Sequence, residues 1–238
     1  MKNSYLLLTF LIIGCTQQTK NESADVVEST NKEESIFLHT PGAVKAFEDG
    51  SFMSGDSAIE MFYQTNQLTI DTSWTIKRIM ANDRYSYEIG SFVSGEKEFT
   101  QLLIWSNQDS VVKRDFEFIA VKESVTKIPD EIDSVRNLWM ELSNAHQPEN
   151  LVKSTYHEKA LYYNHRPMIV GVEDIARTYD YMNNPGYQLT LEPILIEPVN
   201  ESLIFEIGQC SGSYGGKYIL VWQRNDQGDW KILLDSNI

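Results

Sequence analysis

The sequence of 238 residues has 20 basic and 34 acidic side chains, which give a formal net charge of -14. Nucleic acid repels a chain this acidic, and no cluster of basic residues interrupts the acidity, so nucleic-acid binding is excluded as a function class. The hydrophobic content of 42% is enough to build one large core or two ordinary cores.

The first fourteen residues, 1–14, have the pattern of a signal peptide. Lys2 supplies a positive charge, and the apolar run over 5–13 is far shorter than the ~20 residues of a membrane-spanning helix. The run ends at Gly14-Cys15, which resembles the lipobox of bacterial lipoproteins, whose cysteine is acylated. An ordinary secretory signal with a chance cysteine is the less favoured alternative. The resemblance implies that lipid on Cys15 anchors the protein to a cell-envelope membrane, on the non-cytoplasmic side; we expect the outer membrane.

The segment that follows, 15–35, is polar and nearly free of aromatic side chains. It cannot bury enough apolar surface to fold by itself, so it predicts a disordered tether. With Cys15 carrying lipid, Cys210 has no partner for an intrachain disulfide. We interpret Cys210 as a small buried side chain rather than a reactive thiol, because no basic residue stands beside it.

Three pairs of similar segments divide the remainder into two units. The pairs are GDSAI at 55–59 with GVEDI at 171–175, YEIG at 87–90 with FEIG at 205–208, and the apolar runs that end at Trp105 and Trp222. The spacing stays between 116 and 118 residues. Matches that keep their order and spacing indicate a duplicated domain. The predicted units are 36–124 and 126–238, and each is expected to have its own core.

Within the second unit, the periodicity predicts a mixture of helices and strands. Helices are predicted over 129–145, from 148 onward and over 173–183; strands over 159–164, 188–197, 203–210, 216–223 and 230–234. The last four strands are separated by turn residues, which is typical of an antiparallel sheet. The fold class is therefore predicted to be α+β.

This order of elements, with the G-x-x-x-I helix start and the closing segment VWQRNDQGDWKILLD, resembles the nuclear transport factor 2-like superfamily, particularly its SnoaL-like branch. The resemblance implies two tandem cone-shaped domains, each a curved antiparallel sheet packed against helices around a pocket. It also implies that dimers can form across sheet faces. The similarity covers the second unit well. The first copy is incomplete, because the acidic tether stands where the long opening helix should be.

The catalytic pattern of the ketosteroid isomerase branch does not carry over. The resemblance places its carboxylate base at Asn164, and an amide cannot accept a proton at neutral pH. The four histidines show no zinc-binding spacing, so no metal and no cofactor are predicted. The glycine-rich stretch 211–216 is interpreted as a hairpin turn rather than a phosphate-binding loop, because a strand follows it.

A ligand pocket is expected in the second unit, which is the more complete copy. Its candidate residues are Tyr162, Asn164, His165, Tyr179, Glu206 and Trp222. Glu206 alternates with the apolar Phe205 and Ile207, so it points to the opposite face of its strand. If that face lines the pocket, Glu206 is an acid, a base or a ligand anchor; if it faces water, it is a solubility residue.

Two functions stay open at this point. The first is a non-catalytic module that binds a small, partly apolar ligand, or a protein partner of the envelope, with a homodimer as a further possibility. The second is an enzyme, of isomerase, lyase or hydrolase type, that uses Glu206 or His165 as acid or base on a small hydrophobic substrate. The shape and the polar groups of the pocket would discriminate between them.

Overall fold

The computed structural model describes residues 38–107, 111–125, 127–164 and 167–238. The predicted signal peptide, Cys15 and the predicted tether lie outside the described residues. In the described part, no helix is both long enough and apolar enough to cross a membrane.

The first unit consists of six strands and one helix. The elements are β1 (His39–Ala46), β2 (Phe52–Ser54), α1 (Asp56–Thr65), β3 (Thr72–Met80), β4 (Tyr85–Ser94), β5 (Lys97–Ser106) and β6 (Lys113–Val121). Helix α1 packs Ile59 and Tyr63 against Ala43 of β1. Within the described residues of this unit, no helix precedes β1.

The second unit repeats this plan and adds two helices in front. Its elements are α2 (Asp130–Asn144), α3 (Pro148–Thr155), β7 (Tyr156–Tyr162), β8 (Ile169–Val170), α4 (Val172–Thr178) with a 3-10 turn at Tyr179–Asn183, β9 (Leu189–Asn200), β10 (Leu203–Gly212), β11 (Gly216–Arg224) and β12 (Trp230–Ser236). Three acidic residues in the first turn of α2 stabilise the helix, because the N-terminal end of a helix dipole is positive. Glycine at 171 begins α4 with a φ of 86°, a conformation that side chains disfavour.

The two sheets have the same strand order. It is β2-β1-β6-β5-β4-β3 in the first and β8-β7-β12-β11-β10-β9 in the second. The predicted α+β class is confirmed, with one sheet packed against helix α1 and the other against helices α2, α3 and α4. The sheets are mixed rather than wholly antiparallel, because β1 pairs parallel with β6 and β7 pairs parallel with β12. A parallel neighbour is possible here because a helix, α1 or α4, and four strands separate the two partners along the chain.

Alternation along the strands gives the second sheet two different faces. One face carries Ile204, Leu220 and Trp222, which pack against the helices in one core. The opposite face carries Phe205 and Val221, which belong to another core. Side chains of successive residues point to opposite faces of a strand, so both faces of this sheet are buried.

The second of these cores is shared by the two units. Phe118 of the first sheet meets Phe205 of the second, with ring centroids 5.5 Å apart, and Phe116 meets Tyr163 at 5.1 Å. The Tyr163 hydroxyl also donates to Oδ2 of Asp115 at 2.6 Å. The expectation of two separate cores is therefore revised: each unit packs a core of its own beside its helices, and the sheets bury a common core between them.

Candidate functional site

A small cavity lies between the second sheet and its helices. Its volume is about 30 Å³, which is room for about two water molecules. Five tyrosines line it: Tyr179, Tyr181, Tyr187, Tyr214 and Tyr218. Trp139, Leu189 and Leu220 are among the other lining residues, and Asp235 contributes a carboxyl group. A mainly aromatic lining with few polar groups is typical of a small-molecule site, although this cavity is far smaller than the usual volume of such sites.

Asp235 on β12 is the buried polar group of this cavity. Its Oδ2 accepts a 2.6 Å hydrogen bond from the Tyr156 hydroxyl and a second from the Tyr179 hydroxyl. The two hydroxyl oxygens are 2.9 Å apart. Burial raises the pKa of Asp235, although both tyrosine hydrogen bonds oppose the shift. Asp235 Oδ2 therefore lies within hydrogen-bond reach of two hydroxyl groups that are also within reach of each other.

The outer part of the cavity is formed by exposed tyrosines. Tyr181 is 38% exposed and Tyr214 is 51% exposed, and their ring centroids are 5.8 Å apart. Tyr214 lies in the glycine-rich turn between β10 and β11, where an added Cβ on Gly215 would meet nothing within 4 Å. Tyr181 and Tyr214 therefore separate the buried part of the cavity from solvent.

Glu206 is fully buried on the same face of the sheet and is saturated with hydrogen bonds. Oε1 accepts from Arg136 Nε at 2.9 Å and from the Tyr218 hydroxyl at 2.7 Å. Oε2 accepts from Arg136 Nη2 at 2.6 Å and from Trp222 Nε1 at 2.8 Å. This bidentate ion pair joins helix α2 to strand β10 of the sheet. A carboxylate with four donors on its two oxygens is not available as a base.

A glycine makes room for one of these donors. An added Cβ on Gly208 would lie 2.1 Å from the Tyr218 ring. The ring occupies that space, and its hydroxyl thereby reaches Glu206, two residues before Gly208 on the same strand face. Gly90 in the YEIG segment of the first unit is also closely packed, but against different atoms. An added Cβ there would lie 2.8 Å from the Trp74 carbonyl oxygen and 3.2 Å from Glu88 Oε1.

Equivalent positions of the first unit hold a different chemistry. Glu88 keeps the tryptophan partner, since Trp105 Nε1 donates to it at 3.0 Å. Glu117 stands where Asp235 stands in the other sheet, and the Tyr63 hydroxyl donates to it at 3.0 Å. Although burial opposes the shift, the charge of Lys45, the hydrogen bond from His39 and the charge of Arg114 hold the pKa of Glu117 well below its usual range. The buried acid of the first unit is thus ionic, whereas burial favours the neutral form of Asp235.

The residues predicted for the pocket occupy different parts of the second unit. Tyr179 lines the cavity. Tyr162 stacks edge-on against Tyr179 at 5.4 Å, and its hydroxyl accepts a hydrogen bond from Asn164. Glu206 and Trp222 lie on the helix-covered face but are not among the residues that line the cavity. His165 lies outside the described residues.

Several residues that organise the second unit were not among the predicted site residues. Arg136 on α2 is 4% exposed and pairs with Glu206. Asp235 lies one residue beyond the strand predicted over 230–234. A signal for Asp235 was present, since an acid interrupts the apolar run ILLDS much as Glu117 interrupts FEFIAV. Tyr181 and Tyr214 carried no such signal, because helix ends and turns often hold exposed tyrosines.

A second depression lies between α3 and α4. It is wider, about 930 Å³, and its walls alternate acids such as Glu149 and Glu173 with bases such as Lys153 and Arg177. These are exposed or half-exposed side chains of both signs, so no single ligand charge is favoured there. Within the described residues, no group of three or more histidine, cysteine or acidic side chains is placed to hold a metal ion.

No family model matches this sequence, and no curated protein matches it. Solved structures match at low identity. An NTF-2 like protein of unknown function from Shewanella oneidensis is 15% identical, with a TM-score of 0.40, and the match covers 45% of this chain and 95% of that chain. A ketosteroid isomerase-like protein from Erwinia carotovora is 14% identical, with a TM-score of 0.37 and coverages of 46% and 95%. A domain of unknown function with a cystatin-like fold from Nostoc punctiforme is 17% identical, with a TM-score of 0.39 and coverages of 47% and 77%.

Proposed function

We propose that this chain is a lipid-anchored envelope protein, built from two SnoaL-like copies, whose second unit binds a small, partly apolar ligand without transforming it. The observation that carries the proposal is the tyrosine-lined cavity with the Asp235 carboxyl group inside it. Aromatic walls favour an apolar body, and the Asp235, Tyr156 and Tyr179 cluster favours one polar group on the ligand.

The hydrogen bonding of Glu206 supports binding rather than catalysis. A general base needs a free lone pair within reach of the substrate. Both oxygens of Glu206 are committed to Arg136, Tyr218 and Trp222. Its charge is also neutralised by the guanidinium group, so Glu206 serves to hold α2 on the sheet.

The size of the cavity sets a condition on ligand entry. A space of about 30 Å³ is smaller than the ~150 Å³ that holds a benzene ring in an engineered protein cavity. A ligand of that size must displace Tyr181 and Tyr214, whose side chains form the exposed part of the cavity.

Native mass spectrometry of the purified protein is the first test. We expect a non-covalent adduct that disappears on denaturation, and the same spectrum gives the oligomeric state and any envelope protein partner. Phenol then serves as a defined probe, since it has an aromatic body and one hydroxyl. Leu189→Phe fills the cavity and should weaken phenol binding at least tenfold. Leu38→Phe makes the same chemical change at an exposed site and should not. Equal binding to both variants contradicts the proposal.

One observation favours a second candidate, an enzyme with Asp235 as its acid. A buried carboxyl group with a raised pKa and two hydroxyls within hydrogen-bond reach is an arrangement that can donate a proton. The masses of the retained ligand discriminate between the two candidates. If wild type and Asp235→Asn retain the same molecule, the site binds only; if they retain a product and its precursor, the site is catalytic.

A further inference from the structure

The interior of the first unit is cationic at positions where that of the second unit is neutral. The last strand of each unit, β6 or β12, has the same two neighbouring strands, and the pairing register identifies equivalent positions. Lys45, Arg114 and Gln101 of the first unit are equivalent to Tyr162, Ile232 and Tyr218 of the second, in that order. Lys45 and Arg114 are both only 2% exposed. The two copies of the plan therefore offer different chemistry on the same face of the sheet.

Among the residues that the structure describes, the charges in this interior do not balance. Lys45 Nζ lies 3.0 Å from Glu117 Oε1, and Arg114 Nη1 lies 2.9 Å from Glu117 Oε2. Two buried cations thus share one carboxylate. The neighbouring Glu88 has its own cation, Arg78, at 3.8 Å. A buried charge without a counter-ion is costly, so a surplus cation in a chain with an overall charge of -14 calls for an anion.

Both cations have donors left over. Among the described residues, Arg114 Nε is buried without a hydrogen-bond partner, while its two terminal nitrogens reach Glu117, Tyr63 and Gln101. The Lys45 ammonium carries three donors and, within the same part of the chain, makes one hydrogen bond, to Glu117. Its remaining surroundings are rings: the centroid of Phe62 is 4.9 Å away. Burial lowers the pKa of Lys45 despite the attraction of Glu117, and the nearby charge of Arg114 lowers it further.

We propose that the first unit binds a small organic carboxylate beside Lys45 and Arg114. One added negative charge balances the surplus, and a guanidinium group and an ammonium are the donors that carboxylates favour. The rings of Phe62 and Trp105, which lie against Lys45 and Arg114, favour an apolar body on the acid. The site goes beyond the proposed function, because it lies in the other unit and selects by charge.

The test uses the whole purified protein with acetate and benzoate as probes, and benzamide as the uncharged counterpart of benzoate. Titration calorimetry should show saturable binding of a carboxylate and none of benzamide. Lys45→Met removes the cation and keeps a chain of similar length, and it should weaken binding at least tenfold. Lys97→Met makes the same change on the exposed end of β5 and should leave the affinity unchanged.

A second measurement follows ligand binding in the wild-type protein by nuclear magnetic resonance. The side-chain Nε–H signal of Arg114, assigned from its loss in Arg114→Lys, should shift in the wild-type protein as benzoate or acetate is added. Absence of saturable carboxylate binding, binding that survives Lys45→Met, or an Arg114 signal that ignores the ligand each overturns the proposal. Binding of inorganic phosphate with neither carboxylate contradicts the ligand class. Phenol binding in the second unit is independent of all these results.

Discussion

The ion pair between Glu206 and Arg136 offers the sharpest test of how the second unit is held together. Glu206→Gln keeps the shape of the side chain and removes its charge. Arg136 then stays buried without its counter-ion, and the new amide group presents a donor where Arg136 Nη2 or Trp222 Nε1 already donates. Removal of one partner from a buried ion pair costs about 3–5 kcal/mol.

Urea denaturation monitored by tryptophan fluorescence measures this loss. With a urea dependence of about 1–3 kcal/mol/M, the unfolding midpoint should fall by about 1 M or more. Glu88→Gln is the matched control, because Glu88 occupies the equivalent position and lies 3.8 Å from a half-exposed Arg78. We expect it to cost about 1 kcal/mol.

A double variant separates charge from shape. Arg136→Met combined with Glu206→Gln leaves no unpaired charge, so it should recover part of the stability lost in Glu206→Gln alone. A loss below about 1 kcal/mol for Glu206→Gln, or equal losses at Glu206 and Glu88, would refute the view that this pair fastens α2 to the sheet.

Three further outcomes are expected. Burial raises the pKa of Asp235, so its neutral form contributes stability that is complete below the ordinary value of about 3.9 and is lost as the pH rises through the folded-state pKa. Urea unfolding midpoints measured from about pH 4 to about pH 8 follow this loss of stability, and Asp235→Asn should make the midpoint less dependent on pH. If the variant keeps the same pH dependence, another group causes it. A fragment of residues 127–238 exposes the face of Phe205 and Val221 and should self-associate or melt below the whole chain, and a monomeric fragment of full stability would show that the shared core is dispensable. Cys15→Ser should shift the protein from the membrane fraction to the soluble fraction or block its cleavage, whereas fatty-acid labelling of the variant would disprove acylation at Cys15.

Local patterns predicted the elements of the second unit well. The helix expected over 129–145 is observed at Asp130–Asn144, and the strand expected over 203–210 is observed at Leu203–Gly212. Apolar periodicity and turn residues set these boundaries, and both are properties of neighbouring residues. The two-residue strand β8 was not predicted, because a run that short has no measurable period.

The long-range contacts were beyond such patterns. Arg136 and Glu206 are separated by 70 positions, and their pairing depends on how α2 crosses the sheet. The alternation along β10 did predict that Glu206 and Phe205 lie on opposite faces of the sheet. It could not predict which face packs against the helices and which packs against the other unit. The resemblance suggested that sheet faces associate, and only the coordinates show that both faces come from one chain.

The packing of the two sheets within one polypeptide has a genetic consequence. In a symmetric dimer, any substitution appears twice, so both interiors must tolerate it. Here Lys45 and Tyr162 occupy equivalent positions and are encoded separately. Each interior can acquire its own selectivity while the other is conserved, and covalent linkage keeps the two in a fixed ratio however dilute the protein becomes.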